Sequence, residues 1–168
     1  MSRTTRIFEC TPEDVFDVLA DGWSYSTWVV GAARIRDVDT SWPDPGSEIH
    51  HSVGAWPLLL SDSTSVISVD APHHLELKVR AWPAGEGVVR LTLTPHERGT
   101  EVVMEEDASA GPATLLLKPL RDPVLHLRNI EALRRLAYLA ESRARLGGTE
   151  DDAGDVAQVR PEADHSAE

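Results

Sequence analysis

What this chain lacks narrows its chemistry first. Its single cysteine, Cys10, cannot form an intrachain disulfide or build a cysteine-rich metal site, and the composition is that of a reducing compartment. Its only lysines are Lys78 and Lys118, and 16 basic residues face 28 acidic ones for a formal charge of −12. Nucleic-acid phosphates and anionic lipid repel such a chain unless a local basic patch overrides the long-range field, and no strong patch occurs. Long hydrophobic runs are missing too. Nothing approaches the roughly 20 apolar residues that cross a bilayer, and the opening MSRTTRIFEC has no apolar signal-peptide core. There is no glycine-rich phosphate loop, no GxSxG nucleophile elbow and no supported Cys-His pairing. The expectation is a soluble cytoplasmic protein without a nucleic-acid partner, stable membrane insertion, metal or cofactor.

What is present suits one core. The chain has 168 residues, of which 41% are hydrophobic, enough for one domain and no more than one is required. From Gly147 onward the stretch GGTEDDAGDVAQVRPEADHSAE loses apolar periodicity and carries seven acidic residues against one arginine. The expected organisation is a folded domain over residues 1–146 and an acidic, disordered, solubilising tail over 147–168.

Within the domain the periodicity changes twice. Arg3 to Glu9 is a short strand candidate. Thr11 then offers an N-cap, Pro12 a first helical position, and Glu13 and Asp14 an acidic first turn, so a helix begins there. Asp21-Gly22 ends it before WSYSTWVVG, a second short helix or helical turn closed by Gly31. Six segments of period two follow, from Ala33 to Asp107, separated by breaks such as WPDPG, DAPHH and HERG. Strands at hairpin spacing form an antiparallel meander. The last segment is helical, with Leu120, Val124, Leu127, Ile130, Leu133, Ala137 and Ala140 at three- and four-residue steps. Pro119 and Pro123 should kink or restart it near its beginning. Arg121, Arg128, Arg134 and Arg135 are placed on its outer face, partly paired with Asp122 and Glu131.

The fold class expected is therefore α+β: a curved seven-stranded antiparallel sheet, two short helices, and a long C-terminal helix across the concave face. This order, with TPEDVFDVLADGWSYSTWVVG, the Trp-Pro-Leu hairpin, GTEVVMEED and RNIEALRRLAYLAE, resembles the SRPBCC superfamily. That superfamily includes START-like and Bet v 1-like helix-grip domains and bacterial polyketide cyclase/dehydrase-like proteins, and the resemblance covers Ser2 to Arg145. It implies a cavity for an apolar, lipid- or polyketide-like molecule; some members are aromatase/cyclases.

Strand alternation assigns faces. Ile49, His51, Val53 and Ala55 share the apolar, concave side, leaving His50 outside, so His50-His51 cannot bind one metal or one small molecule together. Trp56-Pro57 turns the chain into the next strand. Leu75, Leu77 and Val79 face inward, as do Val89, Leu91 and Leu93. For the last strand Thr100, Val102, Met104 and Glu106 are taken as inward, which would put a carboxylate in an apolar cavity where burial raises its pKa; the alternative is a solvated Glu106 at the strand end. Trp23, Tyr25 and Trp28 suit a cavity mouth or, equally, anchor their segment to the core. Asn129 and His126 flank the stripe of the C-terminal helix.

The candidate ligand contacts are Trp23, Tyr25, Trp28, His51, Val53, Leu77 and Val79, together with Leu91, Met104, Glu106, Leu120, Leu127 and Asn129. No residue stands out as catalytic, although His51 and Glu106 are candidates. The reading is binding of a small hydrophobic or aromatic ligand between sheet and helix. The alternative is an aromatase/cyclase in which His51 or Glu106 removes a proton beside a carbonyl. A homodimer through a sheet edge or the convex face is left open.

Overall fold

Seven strands and three helices follow one another in the computed structural model, which describes residues 1–55, 58–81, 85–110 and 118–156. The order is β1 (Ser2–Phe8), α1 (Pro12–Ala20), α2 (Tyr25–Trp28), β2 (Ala32–Val38), β3 (Glu48–Ala55), β4 (Leu58–Asp70), β5 (His74–Ala81), β6 (Gly85–His96), β7 (Gly99–Ala110) and α3 (Lys118–Val156). A 3₁₀ turn, Gly22–Ser24, leads into α2. The strands form one antiparallel sheet in the order β1-β7-β6-β5-β4-β3-β2. Strands β2 to β7 are a meander, and β1 returns to close against the last of them, Ser2 opposite Glu106 and Phe8 opposite Thr100. The α+β helix-grip architecture is thus the one expected.

Local chemistry explains where elements start. Thr11 caps α1: its Oγ1 accepts from the Asp14 amide at 3.2 Å, and its own amide donates to Asp14 Oδ2 at 2.9 Å. These reciprocal bonds satisfy donors that a helix start leaves open. Pro119 falls in the first turn of α3, where its missing N–H has no intrahelical acceptor. Pro123 lies inside that helix with its ring exposed. Trp56 and Pro57, expected to turn the chain, lie outside the described residues, as do Trp82 and Pro83.

The core lies between the sheet's concave face and the helices. Phe8, Val15, Val18, Ile49, Leu91, Val102, Leu133 and Leu136 are fully buried there. Helix α3 packs chiefly against β1, β7, α1 and α2. Polar ties hold it in place: His126 Nδ1 lies 3.0 Å from Thr4 Oγ1, Glu141 Oε1 accepts from the Glu9 amide at 3.0 Å, and Arg143 reaches Asp21 at 2.7 Å. On the outer face Arg134 and Arg135 both bond Glu131 and hold its carboxyl at about 2.

Two expectations about the helix change. Its buried stripe is Asn129, Ala132, Leu133, Leu136, Ala137 and Ala140, whereas Leu127 is 68% and Ile130 42% exposed. Arg128 turns inward instead of joining the outer arginines. The helical backbone runs through Gly147 and Gly148 to Val156; glycine costs a helix only about 1 kcal/mol per residue and does not forbid it.

A candidate ligand cavity between the sheet and the C-terminal helix

The concave face is not filled. A cavity of about 390 Å³ lies between it and helices α2 and α3. Leu77 and Val79 of β5, Val89 of β6 and Met104 of β7 form its apolar wall, Trp28 and Val29 close the α2 side, and Ala132 faces it from α3. Period-two alternation produces this wall, because every second residue of each strand points the same way.

The polar groups of the cavity fall into two sets. The first is built on α2, β3 and β4. Tyr25 and Trp28, one helical turn apart, share the inner face of α2 and meet edge-to-face with ring centroids 5.5 Å apart. The Tyr25 ring also lies 5.4 Å from the His51 imidazole. Thr64 of β4 stands between them: its Oγ1 is 2.9 Å from the Tyr25 hydroxyl and 3.0 Å from His51 Nε2. All three side chains are buried, and His51 Nδ1 has no partner.

Thr64 has one hydroxyl proton, so this chain has two settings. Either Tyr25 donates to Thr64 and Thr64 to His51, which leaves an N–H at His51 Nδ1; or His51 donates to Thr64 and Thr64 to Tyr25, which leaves a lone pair at Nδ1 and frees the phenol proton. Burial pushes the Tyr25 phenol up to about 12; the Thr64 hydrogen bond and Arg128 oppose this, while Glu106 and Asp62 add to it. Burial also holds the His51 imidazole below its ordinary 6.5, against the pull of Asp62. Both rings are therefore neutral near neutral pH.

The lowered His51 value has a consequence for stability. The unfolded chain takes up this proton at a higher pH than the fold does, so stability falls as pH drops through the ordinary histidine range toward the folded value. Between about pH 7.5 and about pH 5.5 the melting temperature of the wild type is expected to fall further than that of His51→Gln. Parallel melting-temperature profiles for the two proteins would refute this.

The second set joins β7 to α3. Glu106 is 6% and Asn129 2% exposed. Arg128, with 37% of its side chain exposed, bonds Glu106 Oε1. Glu106 Oε2 and Asn129 Nδ2 are buried without a hydrogen-bond partner. Glu106 thus points inward as alternation predicts, but it does not stand alone in apolar surroundings: a guanidinium meets its charge.

Most of the expected contacts converge on the cavity: Tyr25, Trp28, His51, Val53, Leu77, Val79, Met104, Glu106 and Asn129 line it. Four do not. Trp23, in the 3₁₀ turn, is 60% exposed. Leu127 is on the outer face of α3, and Leu91 is buried in the core away from the cavity wall. The side chain of Leu120 lies outside the described residues. His126, which bonds Thr4, is not among the lining residues either. Thr64 went unread, and Arg128 was assigned to the outer face. Alternation with Val66 points Thr64 inward, and that signal was available; Arg128 had none. Cys10 is free and buried, and burial pushes its thiol up to about 12, with Asp14 and Glu141 adding to the effect. Among the described residues no group of three or more His, Cys, Asp or Glu side chains could hold a metal ion, and no helix is long and apolar enough to cross a membrane.

A curved sheet gripping a long helix around an apolar cavity defines a helix-grip ligand-binding fold. The chain belongs to the polyketide cyclase/dehydrase and lipid transport family, which it matches over residues 2–141. Among solved structures it is similar to a protein from Rhodobacter sphaeroides, with a TM-score of 0.65 and 23% identity over 83% of this chain and 91% of that one. It is also similar to the di-domain ARO/CYC StfQ from the steffimycin biosynthetic pathway, with a TM-score of 0.61 and 14% identity over 84% of this chain and 50% of that one. Ara h 8.0201 aligns with a TM-score of 0.64 and 10% identity over 83% and 96% of the two chains. A search of the curated proteins found no match.

Proposed function

We propose that this protein binds a small hydrophobic or aromatic molecule, lipid- or polyketide-like, in the cavity between sheet and C-terminal helix, and that it does so in the cytoplasm. The observation that supports this best is an apolar cavity of about 390 Å³ whose lining residues include His51, Glu106 and Asn129, each of which carries a buried polar atom without a partner. A buried polar group left unpaired costs about 1–3 kcal/mol, and a ligand that pairs it recovers part of that cost. The apolar wall supplies affinity through area removed from water, and the polar atoms fix orientation.

The neutral dye N-phenyl-1-naphthylamine tests the reading. Its fluorescence is expected to rise on binding to the wild type, and Ala132→Phe, which fills the cavity from α3, should weaken binding by about tenfold or more. A folded Ala132→Phe protein that binds the dye as well as the wild type would overturn the cavity as the site.

A second reading is an aromatase/cyclase-type enzyme, and the Tyr25-Thr64-His51 chain favours it. In the setting with a lone pair at Nδ1, His51 would accept a proton from the carbon beside a ligand carbonyl. The electron pair left behind would become an enolate, to which the freed Tyr25 hydroxyl would donate. Substitution of His51 that abolishes turnover of a poly-ketone while dye binding survives would favour the enzyme; unchanged binding with no turnover in either protein favours a carrier.

A further inference from the structure

The second polar set of the cavity specifies what kind of polar group its ligand carries. We infer that the cavity selects a neutral ligand bearing a hydroxyl or other hydrogen-bond donor, which Glu106 Oε2 receives, and discriminates against carboxylates. This rests on the reading that the cavity holds a ligand, and it assigns the chemistry of that ligand.

The argument starts from charge. Two arginines line the described cavity, Arg80 and Arg128, and both are already engaged. Arg80 pairs with Glu86 at 3.3 Å, which Lys78 also holds at 2.8 Å, and Arg128 bonds Glu106 Oε1. An anionic ligand at Arg128 would share that one guanidinium charge with Glu106 and set a second carboxylate beside a carboxylate that is only 6% exposed. Like charges at close range in a poorly solvated site repel, so this pair acts against anions.

Hydrogen-bonding capacity completes the argument. Glu106 spends one oxygen on Arg128, and its other oxygen, Oε2, is buried and unpartnered. A carboxylate oxygen only accepts, so its complement is an O–H or N–H. Asn129 Nδ2, also buried and unpartnered, is a donor whose complement is an acceptor such as a carbonyl or ether oxygen. A neutral hydroxylated ligand satisfies Glu106 without disturbing Arg128, and hydrogen bonds to a charged acceptor are the stronger kind.

Three probes that share one apolar body separate these contributions: 2-naphthol, 2-naphthoate and naphthalene, titrated near neutral pH and followed by their own fluorescence. The wild type is expected to bind 2-naphthol about tenfold more tightly than naphthalene and more than tenfold more tightly than 2-naphthoate. Glu106→Gln frees Arg128 and should reverse the order of naphthol and naphthoate. Naphthoate binding to the wild type as tightly as naphthol, or naphthol binding no better than naphthalene, overturns the inference and leaves the cavity reading intact. Binding of none of the three overturns both. The ranking on the wild type decides the matter even if Glu106→Gln does not fold.

Discussion

Gly99→Ala is expected to lower the unfolding free energy by about 4 kcal/mol, the sum of a strained backbone and an overpacked contact. Gly99 opens β7 at the tight turn from β6, where its φ is +125°, a conformation that side chains with a Cβ rarely adopt. A Cβ there would also lie 2.1 Å from the carbonyl oxygen of Phe8 and 2.9 Å from the Cys10 amide nitrogen. These are backbone atoms of the link between β1 and α1, and they cannot swing aside as a flexible side chain would. Gly46→Ala separates the two effects. Its φ is +88° but nothing lies within 4 Å of the added Cβ, so only the backbone strain, about 1–2 kcal/mol, should appear. Urea denaturation of both variants measures the difference, and equal losses would refute the clash.

The second large effect concerns Arg128. Arg128→Met leaves the Glu106 carboxylate inside the cavity without its cation, which is expected to cost about 3 kcal/mol. The cost stays below that of a fully buried pair because 37% of the Arg128 side chain is in water, so solvent already screens part of its charge. Glu106→Gln should cost less, about 1 kcal/mol, because the exposed guanidinium it abandons can hydrate. Arg128→Met with Glu106→Gln is then expected to be more stable than Arg128→Met alone, since the second substitution removes the stranded charge. If the double variant is the less stable of the two, Glu106 does not depend on Arg128 for its burial.

These two residues also mark where sequence reasoning stopped. Strand faces were legible because a period of two leaves only two choices, and one apolar set selects between them: Ile49 marked His51 as inward, and Val102 with Met104 marked Glu106. The cap at Thr11 was equally plain, since its partner Asp14 lies three residues away and the bond is local. Helix faces were harder. On α3 the apolar residues Leu127 and Ile130 compete with a stripe that begins at polar Asn129 and continues through small Ala132, and hydropathy ranks the wrong one first. Only packing against β1, β7, α1 and α2 decides the rotation of the helix. Arg128, next to Asn129 in sequence, turns toward Glu106, 22 positions earlier, and nothing local announces that pairing. Trp23 shows the same limit: its ring is exposed while those of Tyr25 and Trp28, in the helix that follows, are buried, and residue type alone does not separate the three.

The closing of the sheet by β1 has a consequence for how the chain folds. Ser2 pairs with Glu106 and Phe8 with Thr100, whereas β2 to β7 each pair with their neighbours in sequence. The meander can zip up from hairpin to hairpin, but β1 has no partner until the last strand has been made. Fully buried Phe8 and its strand therefore wait through the synthesis of the other six, and their docking joins positions about a hundred residues apart. Contacts of that separation carry the largest loop-closure cost and form slowly. In the nascent chain the strand of this sheet that is made before the other six is thus among the last to find its place, and the grip on α3, which rests on β1 and β7 together, tightens only when it does.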